Sequence, residues 1–227
     1  EEETPPAPTG VAQIGEQTYP TLKAAIEAAQ SDETVKLIAD VDLTEVLIIG
    51  KSVDLDLNGY TIRQTGSTTM EWCSAYGCPA SMCRWNCADS GHVSTQIRDA
   101  IHVVGGQGAE VAVNIYDNSE AQTGAVIAGE NANFAVAVYG DDLHLRIYGG
   151  TYSGGSSFCV FNSYKWNQSW TTLYGGTYKN GVQVNTIMDG TFQAKLGSDE
   201  TWVCAYDIHD ATCGEGTDAQ ATEFYGG

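Results

Sequence analysis

Apolar and polar positions alternate along most of this chain. In VDLDLNGYTI, Val53, Leu55 and Leu57 fall on one side of an extended backbone while Asp54, Asp56 and Asn58 fall on the other. That is the period of a strand with one buried and one wet face. Leu143, Leu145 and Ile147 alternate in the same way with His144 and Arg146. VKLIAD, EVLIIG, AIHVVGG, EVAVNIYD and FAVAVYG are further short runs rich in β-branched residues, and they end at Gly, Asn or Asp. They predict strands separated by turns. One segment departs from this pattern: TLKAAIEAAQ places Leu22, Ala25, Ile26 and Ala29 at helical spacing behind Pro20. It predicts a single short amphipathic helix with Thr21 as its N-cap, preceded by a short strand near 11–14.

The strands recur. YGGTY begins at Tyr148 and again at Tyr174, so Thr151 and Thr177 stand 26 residues apart, and Phe134 and Phe158 stand 24 apart. A period in the twenties built of strands and glycine turns marks a solenoid, because each repeat lays its apolar face on the next. The expected fold is all-β, a parallel β-helix. Tyr148 then stacks near Tyr174 and Tyr152 near Tyr178, about 4.8 Å apart. MDGTF puts Thr191 only 14 residues after Thr177, so that round is short or its motif has moved to another face. The open end of such a stack exposes strand edges and apolar side chains, and the helix from Leu22 to Gln30 is the expected cap.

The stretch VAQIGEQTYPTLKAAIEAAQSDETVKLIADVDLTEVLIIGKSVDLDLNGYTI, with VNIYDNSEAQTGAVIAGE and IYGGTYSGG further on, resembles the pectate-lyase-like right-handed parallel β-helix domains of bacterial cell-surface proteins. The resemblance covers roughly residues 11 to 62 and 100 to 195. It implies a capping helix, successive coils, and service as a stalk or ligand-binding part of an adhesin. It is specific for fold and says little of function. Residues 63–98 form a cysteine-rich insertion that the family pattern lacks, and the period is lost after Gly197. The chain is therefore read as an acidic, proline-rich linker over 1–10 and one β-helix domain over 11–227.

Composition narrows the partners. The 29 acidic against 10 basic residues give a formal charge of -19, which repels nucleic acid and anionic membrane surfaces. No apolar run is long enough to cross a bilayer as a helix. Seven cysteines point to an oxidising compartment, so the expected location is extracellular, secreted or on a bacterial surface, within a larger protein. No cofactor is expected. Calcium is the one ion that such acidity invites, and solubility is the simpler account of the acidity.

The insertion carries Cys73, Cys78, Cys83 and Cys87 in the pattern C-x4-C-x4-C-x3-C. This spacing is loose for zinc, so two local disulfides are the preferred reading, with connectivity left open. Trp72, Tyr76 and Trp85 lie among these cysteines, either as the small core of the loop or as a rigid patch for a sugar ring or a protein hot spot. Tyr164, Trp166 and Trp170 form a second aromatic cluster in SYKWNQSW, read as a loop between coils. Cys204 and Cys213 are candidates for a further disulfide, which leaves Cys159 as a buried thiol or the partner of another cysteine.

Catalysis finds less support. β-Helix lyases, as the family implies, use calcium with a basic residue, and glycosidases need two placed acids. The asparagine-aspartate, double-aspartate, glycine-histidine-glycine and arginine-lysine set of the pectin-hydrolysing relatives is absent from the sequence. Asp141, Asp142, His144 and Arg146 are the nearest remnant, with His144 and Arg146 on the outer side of one strand, where polar residues are the default. Asp207, His209 and Asp210 have metal-compatible chemistry but no more specific pattern, and His92 and His102 have no partner legible in sequence. The favoured reading is a non-catalytic recognition module for a host glycan or a host secreted or surface protein, with Trp72, Tyr76, Trp85, Tyr164, Trp166 and Trp170 as ligand-binding residues. A diverged polysaccharide lyase or glycoside hydrolase is the first alternative, and a passive stalk the second.

Overall fold

The computed structural model describes residues 10–31, 33–66, 70–73, 78–79, 93–96, 99–105, 110–129, 132, 134–162, 169–193 and 203–205. Their architecture is mostly β, with one short helix and two large sheets of mainly parallel strands. An antiparallel hairpin comes first, β1 (Ala12–Ile14) and β2 (Gln17–Tyr19), turning through Gly15 at φ 56°. Helix α1 (Leu22–Ala28) follows, shorter than the apolar spacing predicts. The Thr21 side chain accepts a hydrogen bond from Ala24 N at 3.1 Å, and Leu22, Ala25 and Ile26 are buried against the first strands. Thr21 is thus the cap that the sequence predicts.

From there the chain repeats one itinerary, a strand in the first large sheet and then two stretches in the second. The first round is β3 (Thr34–Leu37), β4 (Val41–Leu43) and β5 (Leu47–Ile49). The second begins with β6 (Val53–Asp56) and β7 (Thr61–Gln64) and then leaves the two sheets after Gly66. On the excursion, β8 (Met70–Cys73), β9 (Cys78–Pro79) and β10 (Val93–Gln96) make a separate three-stranded antiparallel sheet. The round closes with β11 (Ile101–Val104). The third is β12 (Val111–Tyr116), β13 (Ala125–Ile127) and β14 (Val136–Tyr139). In the fourth and fifth, β15 (Leu143–Ile147) and β17 (Ser169–Leu173) lie in the first sheet, while the long β16 (Thr151–Asn162) and β18 (Thr177–Val184) each serve both stretches of the second. β19 (Thr186–Ile187), β20 (Thr191–Gln193) and β21 (Val203–Ala205) form the last.

The register keeps like over like. In the eight-stranded first sheet, Leu55, Ile115, Ile147, Leu173 and Ile187 fall in one row, all fully buried. Each round therefore supplies the floor on which the next one packs, and the core runs between the two sheets.

YGGTY recurs because each of its residues has a separate task. The second glycine takes a left-handed backbone, φ 92° at Gly150 and 104° at Gly176, and a Cβ on Gly150 would meet Leu57 Cδ1 at 2.7 Å. Only glycine fits both demands. Tyr152 and Tyr178 turn inward, fully buried and stacked at 5.4 Å, and their hydroxyls donate to the carbonyls of Gly149 and Gly175 at 3.0 and 2.7 Å. Phe192 continues that inner stack at 5.3 Å. Thr191 pairs with Thr177, so the last repeat is the short round and stays in register. Its brevity follows from β18, which runs between the two stretches with no intervening loop, and from β19, which has two residues.

The excursion is anchored at its base by polar side chains. Gln64 Nε2 donates to Asp99 O at 3.0 Å, Asp99 Oδ1 accepts from Phe134 N at 2.7 Å, and Asp99 Oδ2 lies 2.6 Å from His102 Nε2. Both residues of the Asp99–His102 pair are buried. This is the partner of His102 that its sequence neighbourhood left unidentified.

Candidate ligand-binding face

The outer side of the first sheet carries three columns of side chains, because alternate residues of β12, β15 and β17 point away from the core and the register aligns them. The first column holds Ala112, His144 and Trp170. Asn114, Arg146 and Thr172 make the second. The third holds Tyr116, Tyr148 and Tyr174, followed by Met188. Tyr148 N, Tyr174 N and Met188 N each donate to the strand below, to Ile115 O, Ile147 O and Leu173 O at 2.7–2.8 Å. These equivalent bonds place the last column at one fixed bend of every round.

Tyr116 and Tyr148 stack with centroids 4.8 Å apart and planes within 9°, and Tyr148 and Tyr174 repeat this at 4.8 Å and 5°. The separation is the strand spacing, so the sheet itself sets the stack. Tyr148, Tyr174 and Met188 are 40%, 41% and 37% exposed, and they are three of the four exposed large hydrophobic residues among the described ones. At the other margin His144 stacks on Trp170 at 4.9 Å. Trp170 lies near the start of β17 and Tyr174 one residue past its end, so the two aromatic columns stand at opposite margins of the face.

Between them lies a polar row. Asn114 Nδ2 donates to Asp54 Oδ1 at 2.7 Å, which turns Asn114 Oδ1 toward Arg146 Nη1 at 3.5 Å. Arg146 Nη2 is 3.4 Å from His144 Nδ1. A guanidinium only donates, so Nδ1 is the acceptor and the ring proton sits on Nε2, 3.8 Å from Glu110 Oε1. Burial first, then the Asp54 carboxylate and the neighbouring Tyr148, raise the Tyr116 phenol above its ordinary pKa, with Arg146 opposing. Tyr116 therefore remains a hydroxyl donor at neutral pH.

Of the residues expected to bind ligand, Trp170 lies on this face. It lies not in the loop that the sequence predicts but in β17. The alternation there was hard to see because two of the inward positions are Ser169 and Thr171, fully buried and polar. Asn162 and Asn185 hold them: Ser169 Oγ donates to Asn162 Oδ1, and Thr171 N to Asn185 Oδ1, both at 2.7 Å. Tyr76, Trp85, Tyr164 and Trp166 lie outside the described residues, as do Cys83, Cys87, Cys213, His92, Asp207, His209 and Asp210. The Trp72 backbone lies in β8 opposite Pro79, and Cys73 is the register partner of Cys78. Cys204 lies in β21 opposite Gln183. Cys159 is a buried free thiol, pushed up to about 12 chiefly by its burial.

Asp141 and Asp142 sit in the turn before β15, at the opposite end of that strand from Tyr148, while His144 and Arg146 share the outer face as predicted. Asn114, Tyr116, Thr172 and Met188 escaped the sequence reading. The signal for them was the outward position just before or at each bend, visible once the strands are aligned. Among the described residues no three His, Cys, Asp or Glu side chains gather as a metal site, and no helix is long and apolar enough to cross a membrane. No family model, no curated protein and no solved structure is similar enough to this chain to count as a match.

Proposed function

We propose that this chain is a non-catalytic recognition module, a right-handed parallel β-helix within a larger extracellular protein of the bacterial surface, which binds a host glycan or host protein through the outer face of its first sheet. The observation that carries this reading is the column of Tyr116, Tyr148, Tyr174 and Met188, half-buried at Tyr116 and exposed at the other three, beside a polar row on parallel strands. Contiguous apolar surface held in water is costly and is commonly kept for a partner, and strands position contact residues more firmly than loops do. The two carboxylates on the adjoining strand β6, Asp54 and Asp56, support recognition over hydrolysis. Asp54 is engaged by Asn114, and Asp56 accepts from the backbone amides of Asn58 and Asn118 at 2.9 and 3.0 Å. Neither is poised as a free acid or base. The solenoid reading rests on the repeated itinerary and on the capping place of α1, and the resemblance to pectate-lyase-like domains rests on the entry segment 11–62.

The test is binding of the chain to arrays of glycans and of mucosal secreted proteins, with a Tyr148→Ala/Tyr174→Ala variant and a Trp72→Ala/Trp85→Ala variant in parallel. Selective binding lost in the tyrosine variant supports the face. Loss only in the tryptophan variant moves the site to the excursion. Unsaturated or reducing sugar released from a polysaccharide favours the lyase or hydrolase reading, and no binding at all favours a stalk.

A further inference from the structure

Stacking decides what the aromatic columns can offer a ligand. Rings that lie parallel at 4.8 Å along the stack turn their faces to one another, so solvent meets their edges and hydroxyls. The face of an aromatic ring is electron-rich and its edge electron-poor. A cation, or the C–H face of a neutral sugar, needs the ring face, and here both faces of Tyr148 and one face each of Tyr116 and Tyr174 are covered by neighbouring rings. The exposed edges and phenol O–H groups suit oxygen acceptors and negative charge.

The row between the columns has the same preference. Acidic residues outnumber basic ones 29 to 10 in this chain, and two of the described cations are held by oxygen acceptors: Arg63 Nη1 lies 3.3 Å from Asp42 Oδ1, and Lys51 donates to the Glu27 and Ala29 carbonyls at the end of α1. Arg146 is held differently, by the neutral acceptors Asn114 Oδ1 and His144 Nδ1 at 3.5 and 3.4 Å. No described carboxylate stands within ion-pair distance of it. Two contacts position its planar fork and leave other N–H groups for a ligand. A positioned guanidinium without a carboxylate is suited to a bidentate anion.

We propose that this face binds an acidic glycan, seating a sulfate or carboxylate group on Arg146 while Thr172 and the edges of Tyr148 and Tyr174 contact the sugar that carries it. This rests on the recognition reading above and names its ligand class. Sulfate and carboxylate present the same forked oxygens, and the probes separate them.

Binding of the full chain is measured to immobilised dextran sulfate, hyaluronan, heparin and neutral dextran, for the parent and for Arg146→Ala and Arg146→Lys, with thermal melting to establish that both variants fold. Binding to dextran sulfate, hyaluronan or both identifies the acidic group, and neutral dextran is expected not to bind. Arg146→Ala should weaken binding by about tenfold to a hundredfold, as loss of charge-assisted hydrogen bonds implies. Arg146→Lys should fall between, keeping the charge but losing the fork. Binding unchanged in Arg146→Ala, binding of neutral dextran equal to that of the polyanions, or no binding to any of the three polyanions overturns the proposal. If the polyanions fail while the arrays above give a ligand lost in the tyrosine variant, the ligand class is wrong and the recognition reading stands. If both fail, both fall.

Discussion

Cys159 shows how one position can be dictated by its neighbours. It lies in β16, fully buried, and burial pushes its thiol from an ordinary value near 9 to about 12. The folded chain therefore keeps a proton that the unfolded chain releases above about pH 9. Stability from this group is fully present below that value and is lost as pH climbs toward about 12. Tyr152 and Tyr178, whose burial raises them well above 10, act in the same direction at higher pH. The urea midpoint should accordingly fall between about pH 8 and pH 10.5, and Cys159 should resist alkylation until the chain unfolds. A flat midpoint, or rapid labelling of Cys159 in the native protein, contradicts this account. Residue identities alone marked Cys159 as either a core thiol or a disulfide partner, and the choice required its surroundings.

At the scale of elements, the strands with apolar inner faces were legible, and the one with a polar inner face was not. β12 and β15 alternate visibly, Val111, Val113 and Ile115 in one and Leu143, Leu145 and Ile147 in the other. In β17 the same alternation reads Ser169, Thr171 and Leu173, which looks like a loop until Asn162 and Asn185 are placed beside it. Asn185 Oδ1 accepts from both Asn162 Nδ2 and Thr171 N at 2.7 Å. Replacing Asn185 with Ala leaves a buried amide and a buried carboxamide short of a partner, which should cost about 1–3 kcal/mol. Amide exchange should quicken in β17 more than in β6, and the Trp170 fluorescence should shift as its strand loosens. Equal protection of the two strands in the variant would show that the asparagine bonds are not what holds β17.

On the scale of the whole molecule, the formal charge of -19 opposes the ligand that the face is proposed to take. The two effects act at different ranges. Arg146 works at contact, while the net charge acts over the Debye length, which shrinks from about 30 Å at 10 mM salt to about 10 Å at 100 mM. Raising salt over that range should therefore speed association with a polyanion such as dextran sulfate, by screening the repulsion more than the contact. A basic patch would give the opposite slope, so a rate that falls steeply with salt would show that Arg146 is not the seat of binding.

Alternation, turn residues and the recurrence of YGGTY are local properties of the chain, and they were enough for an all-β fold, its one short helix and the stacking of Tyr148 on Tyr174 and of Tyr152 on Tyr178. They are readable because strand period and glycine geometry are imposed by nearest neighbours along the backbone. The proposed binding face is different in kind. Asn114, Arg146 and Thr172 lie 26 to 58 residues apart in the chain and become neighbours through strand register alone. The 26-residue YGGTY spacing already sets Arg146 over Thr172, but Asn114 beside Arg146 and Asp54 beside Asn114 depend on rounds of unequal length, one of them interrupted by the excursion after Gly66, and no repeated motif encodes those steps. Only the folded molecule turns Tyr148 from half of a motif into the middle of an exposed stack, and Arg146 from an outward residue into a guanidinium held by neutral partners.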